Sequence, residues 1–169
     1  MLSHIGTANL ISRILNRGLN NHIQKLVVST NDGSCNHLSI NFDDYNIRFP
    51  NLLEIKCWYI TPKVCFMLSI YSPSLQALSV LCSTWRITDK SIESVFAGCT
   101  KLKYIRISAH PTAIAVYFNE AKPVQAIAKY CNSLEVLKLN SWDRVESDEI
   151  ASLSELTNLA VLDIDSIDA

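Results

Sequence analysis

Two copies of one short pattern constrain this chain more than anything else in it: Leu75-x-x-Leu78-x-Val80 and Leu102-x-x-Ile105-x-Ile107, 27 residues apart with a helix-like segment between them. The last two anchors of the pattern are two residues apart, so both point to one side of a strand and leave the residues beside them on the other. A single copy cannot fold. Burying its three anchors contributes roughly 5–9 kcal/mol, whereas fixing the backbone of a whole repeat costs about 1–2 kcal/mol per residue. Copies stacked side by side share one core and pair their strands, so several are needed.

The chain supplies them. Ile23-x-x-Leu26-x-Val28, Leu52-x-x-Ile55-x-Cys57, Leu134-x-x-Leu137-x-Leu139 and Leu159-x-x-Leu162-x-Ile164 extend the series, with first anchors at intervals of 29, 23, 27, 32 and 25 residues. This is the period of leucine-rich repeats, each a strand plus a return helix, with longer intervals absorbed as insertions on one face. The pattern predicts an α/β leucine-rich-repeat solenoid, a horseshoe segment with a parallel β-sheet on its concave face and return helices on its convex face. It occupies 1–169 as a single domain of about six repeats, with strands near 23–28, 52–57, 75–80, 102–107, 134–139 and 159–164. The position three before each of the last five first anchors holds Phe49, Ser72, Cys99, Cys131 and Leu156, mostly small or apolar, which predicts one recurring structural slot. An ordinary α/β domain would show no such register.

Between the strands, Thr7 and Gly18 bracket a helix with Leu10, Ile11, Ile14 and Leu15 on one face. The turn-rich stretch 29–36 precedes an alternating Leu38, Ile40, Phe42 strand. Thr61-Pro62 opens a helix that offers Val64, Cys65, Leu68 and Ile70 as apolar positions and closes at Ser72-Pro73. The next helix starts near Thr88-Asp89, buries Ile92, Val95 and Phe96, and ends at Gly98. The segment 110–121 is irregular or a short helix, after which Pro123 opens a clearer one through Val124, Ile127 and Ala128. Ser147 caps a helix through Ile150 and Leu153. No helix is expected after the strand Leu159 to Ile164 to cover its apolar face, which predicts an open sheet edge.

Composition removes several function classes. Hydrophobic residues make up 49% of the 169, yet no run approaches the roughly 18 apolar residues of a membrane span, and the first residues lack a signal-peptide pattern. No membrane partner is expected, and the cytoplasm or nucleus is the default compartment. The formal charge of -1 gives no basic field for nucleic acid. Six cysteines follow the repeat and form no CxxC, which favours buried thiols over three disulfides.

At Ile87-Thr88-Asp89 with Ile92, at Cys99-x-x-Leu102, and again at Ile127-Ala128-x-x-Cys131-x-x-Leu134, the sequence resembles the cysteine-containing leucine-rich repeats of F-box proteins. The resemblance covers about Leu52 to Ile164 and is good for two repeats and loose elsewhere. It departs at Ser83, where the family places a cysteine that this chain carries one position early as Cys82, and at Ser91, where the family has glycine. It implies a substrate-recognition region of an SCF ubiquitin ligase receptor. The N-terminal F-box that would hold the adaptor is not evident, since the helix from Ala8 to Arg17 is too little for a three-helix module. The alternatives are a free-standing interaction protein with no ubiquitin role and a sensing module of a larger enzyme.

No catalytic or cofactor site is expected. His4, His22, His37 and His110 stand at no metal or triad spacing, and Gly6, Gly18, Gly33 and Gly98 are too far apart for a phosphate loop. Asp143, Glu146, Asp148 and Glu149 read as a solvated helix start. The chemistry worth following is on the display side of the strands. Lys56, Arg106 and Lys138 share the position after the middle anchor, with Ser79 between the first two, and Trp58 and Tyr104 supply aromatic area. Aromatic residues and arginine are enriched at interface hot spots, so these five are the candidate protein-binding residues.

Overall fold

The computed structural model describes residues 19–28, 49–57, 62–83, 89–109, 123–140 and 147–165. Six strands, β1 (Lys25–Val28), β2 (Glu54–Cys57), β3 (Ala77–Ser83), β4 (Tyr104–Ala109), β5 (Val136–Asn140) and β6 (Val161–Asp165), form one sheet in chain order. Every neighbouring pair is parallel. Among the described residues four α-helices lie between the strands: α1 (Pro62–Tyr71), α2 (Asp89–Gly98), α3 (Pro123–Tyr130) and α4 (Ser147–Ser152). They pack against one another in the same order. The protein is therefore an α/β structure in which each strand is followed in space by the next.

The register is the one the anchors predict. Leu26, Ile55, Leu78, Ile105, Leu137 and Leu162 align across all six strands, as do Val28, Cys57, Val80, Ile107, Leu139 and Ile164. In the four inner strands both columns are buried and join Ile92, Val95 and Phe96 of α2 and Val124 and Ile127 of α3 in one core. Only side chains of period two on the strands and helical period between them can share a core in this way.

The strands begin about two residues later than the anchors suggest. Leu52, Leu75, Leu102, Leu134 and Leu159 each spend their N–H on the carbonyl three residues before, at 3.1, 3.0, 3.2, 2.9 and 3.0 Å, so they belong to a turn and not to the ladder. Those acceptors are Phe49, Ser72, Cys99, Cys131 and Leu156, and all five are buried. After each turn two successive N–H groups share one carbonyl of the preceding strand's entry: Leu53 and Glu54 on Gln24, Gln76 and Ala77 on Leu53, Lys103 and Tyr104 on Gln76, Glu135 and Val136 on Lys103, Ala160 and Val161 on Glu135. The same small device is thus repeated at five strand steps.

The cysteine in the slot has a physical reason. The N–H of Cys99 closes α2 on the carbonyl of Val95, and its thiol lies 3.6 Å from each of the Leu68 and Ser72 carbonyls at the end of α1. Both carbonyls already accept a backbone N–H, from Ser72 and from Leu75, so the thiol adds a weak second contact to each. Gly98 is the last residue of α2, as its position suggests, and has a second task. A Cβ there would come within 2.6 Å of the Ser69 Cα, so glycine lets α1 and α2 approach closely.

Three burial expectations fail. Ile70 is 48% exposed and Phe66 57%, because α1 is apolar on nearly every side and its core-facing side is taken by Val64, Cys65 and Leu68, with Met67 half-buried beside them. On α4 the expected apolar residue Ile150 is exposed, and Glu149, expected in the solvated helix start, is buried in its place. The helix is only six residues long before it tightens into the 3₁₀ turn Leu153–Glu155, which rotates Leu153 inward. The predicted helix at 7–18, the strand around Leu38 to Phe42 and the segment 110–121 lie outside the described residues.

Candidate protein-binding face

The side of the sheet opposite the two buried columns carries the candidate residues. Its central column runs Val27, Lys56, Ser79, Arg106, Lys138, Asp163 from β1 to β6. Lys56, Arg106 and Lys138 therefore do share one column, with Ser79 between the first two. A second column runs Lys25, Glu54, Ala77, Tyr104, Val136, Val161. Tyr104 is half-buried there between the small Ala77 and the aliphatic Val136. Trp58 lies outside the described residues, as do Trp85 and Trp142.

The three cations are not equivalent. Lys138 Nζ is 3.0 Å from Asp163 Oδ2 on the next strand. Lys25 is likewise paired with Glu54 at 2.7 Å, and Lys103 with Glu135 at 2.8 Å. Among the described residues no carboxylate pairs with Lys56 or Arg106. Lys56 is exposed. Arg106 is half-buried, with its Nε shut off from solvent and without an acceptor. A buried donor left unmatched costs about 1–3 kcal/mol, so its surroundings favour any group that brings an acceptor. Arg106 and Lys138 are also direct partners in register, a like-charge pair that the Asp163 carboxylate offsets on one side only.

These pairings were within reach of the sequence once the repeats are aligned, since Lys138 then stands beside Asp163 and Lys25 beside Glu54. Taking Lys138 as a free cation overlooks that neighbour. Ser108 and Asn140 extend the polar surface one step along the strands, their Oγ and Oδ1 3.3 Å apart.

The rest of the described surface offers little chemistry. Cys57, Cys65, Cys99 and Cys131 are free and buried, and burial pushes each thiol up from 9.0 to about 12, which removes them as nucleophiles at neutral pH. Among the described residues no group of three or more His, Cys, Asp and Glu could hold a metal ion, and no helix is long and apolar enough to cross a membrane. A small cleft, open to solvent, lies beside β1, β2 and α1 and is lined mainly by apolar side chains such as Leu26, Phe49 and Met67. No family model, curated protein or solved structure matches this chain.

Proposed function

We propose that this chain is a non-catalytic protein-binding scaffold of the leucine-rich-repeat solenoid type, and that its ligand surface is the display face of the sheet around Tyr104 and Arg106. The observation that carries this reading is the repetition itself: five strand steps in one register, each entered by the same turn and the same shared carbonyl. A sheet built so sets a row of side chains about 4.8 Å apart on a frame that does not need them for folding, and such a row suits an extended segment of another protein. The likeness of the Cys99 and Cys131 repeats to F-box proteins supports a narrower form of the proposal, in which the bound protein is a substrate of an SCF ubiquitin ligase and a separate F-box holds the adaptor.

Affinity capture with the full chain tests it, comparing proteins retained by the parent with those retained by Tyr104→Ala and Arg106→Glu at equal folded concentration. A partner held by the parent and lost from both variants supports the face. A partner held equally by all three places recognition elsewhere, and turnover of a small-molecule substrate by the isolated chain would overturn the non-catalytic reading. Recovery of an SCF adaptor with the captured partner, or an F-box in the same reading frame, decides the narrower form.

A further inference from the structure

We infer that the display face holds a specific carboxylate seat above Ser79, between Lys56 and Arg106, and that the segment it takes is an extended acidic peptide. The inference rests on the protein-binding reading of that face and adds the chemistry of the partner.

The distribution of charge across the sheet selects the place. At one edge, β1 and β2 are joined by Lys25 and Glu54, and at the other β5 and β6 by Lys138 with Asp163, while Lys103 and Glu135 pair just before β4 and β5 begin, outside the two display columns. The steps from β2 to β3 and from β3 to β4 carry no ion pair on this face among the described residues. They carry Lys56, Ser79 and Arg106 as direct neighbours in one column. The two cations stand one strand to either side of Ser79, about 4.8 Å each way, and both side chains are long enough to lean over it. Ser79 offers a hydroxyl donor in the middle, and Arg106 brings the Nε that has no acceptor. Turning that guanidinium edge outward presents the planar fork that a carboxylate accepts in two parallel hydrogen bonds, which a lone lysine cannot do.

The neighbouring column says how the rest of the segment lies. Ala77 leaves a shallow place beside the half-buried Tyr104, so an apolar side chain of the peptide can rest against the ring while the acidic one reaches the seat. Crossing the strands from β1 to β6 takes roughly 24 Å, or about eight extended residues, so one short segment spans the whole face.

The test is a selection of random peptides of about twelve residues, long enough for that span, on the immobilised full chain, followed by fluorescence anisotropy with the strongest binder. Binders should be enriched in Asp and Glu. Arg106→Gln and Ser79→Asp, which places a carboxylate of the chain's own in the seat, should each weaken the chosen peptide about tenfold or more, Arg106→Lys less, and all three effects should shrink as salt rises. Thermal melts of each variant confirm the fold, and if Arg106→Gln does not fold, Arg106→Lys and Ser79→Asp decide.

Binders without acidic enrichment that are lost on Tyr104→Ala would overturn the seat and leave the protein-binding face standing. Binders indifferent to both Tyr104→Ala and Ser79→Asp would overturn the face itself. A selected peptide that binds more tightly when its Glu is replaced by phosphoserine overturns the carboxylate assignment, and a selection that yields no binder overturns the proposal.

Discussion

β5 and β6 carry the same pattern, lie side by side in register, and differ sharply in what they bury. Leu137 and Leu162 are direct partners, yet Leu137 is 0% exposed and Leu162 46%. Leu139 is likewise buried while Ile164 is only half so. β5 has a strand on both sides and α3 and Leu153 within its core, whereas β6 has a strand on one side among the described residues. A leucine in a repeat is therefore an offer of burial that the next repeat must accept. The pattern fixes which way the side chain points, and the neighbours fix what that orientation is worth.

The widest gap between the two strands should appear on introducing a charge. Leu137→Asp puts a carboxylate among buried aliphatic side chains with no partner, and is expected to abolish the cooperative transition of the repeats around it. The milder Leu137→Ala should cost about 2–5 kcal/mol. At Leu162 the aspartate is expected to be tolerated and the alanine to cost less than half as much as at Leu137, since nearly half of that side chain is already in water. Urea unfolding of the four variants checks this, and equal losses at the two positions would mean that the core continues past β6.

Alkaline pH probes the inner strands in a second way, because all four described buried thiols lie between β2 and the turn before β5. Each is held protonated in the fold, near 12 against 9.0 for the free group, by burial first of all. The folded state thus keeps protons that the unfolded state gives up above pH 9, and stability contributed in this way is intact below pH 9 and falls as pH rises towards 12. The limiting slope is about 1.4 kcal/mol per pH unit for each thiol. Unfolding measured at pH 8 and at pH 10.5 should show a loss that Cys131→Ala reduces by one thiol's share. An unchanged pH dependence in that variant would put the Cys131 thiol in contact with water.

A smaller effect is expected at Gly98. Gly98→Ala raises helix propensity but sets a methyl group within 2.6 Å of the Ser69 Cα, so α1 and α2 must separate. The net result should be a loss of about 1–3 kcal/mol, readable in the same urea titration. A gain in stability would mean that the two helices have room to part at no cost.

Much of the strand arrangement was legible because its signal is redundant. Six copies of one spacing over-determine the register, and the columns align residue for residue as the anchors place them. The helices were less legible where that redundancy fails. α3 shows a clear stripe, Val124, Ile127 and Ala128, and buries it, whereas α1 is apolar all round, so nothing in its sequence says that Phe66 and Ile70 are the side left outside. Glu149 was missed for a related reason: periodicity counts apolar residues and is blind to a carboxylate turned inward. Four of the five candidate residues, Lys56, Tyr104, Arg106 and Lys138, could be placed from sequence on one face of the strands. Which cations keep a free charge depends on the residue one repeat away and shows only when strands are laid side by side.

The ion pair between those strands gives the finest test of the comparison. Lys138 and Asp163 join β5 to β6 with side chains 34% and 43% exposed, so solvent screens much of their attraction. A double-mutant cycle with Lys138→Gln and Asp163→Asn should return a coupling of only about 0.2–1 kcal/mol, fading in high salt. That would mean β6 is held by its backbone ladder and by the half-buried Leu159 and Ile164, with the pair as a minor staple. The same Asp163→Asn substitution frees Lys138 beside Arg106 and extends the unpaired cations from two strands to three. Affinity for an acidic peptide should then rise at low salt while stability barely moves. If binding is unchanged, Lys138 contributes nothing beyond its own ion pair and the seat is confined to Lys56, Ser79 and Arg106. If stability falls by several kcal/mol, the edge strand depends on its charges, and the contrast with β5 is one of electrostatics as much as of packing.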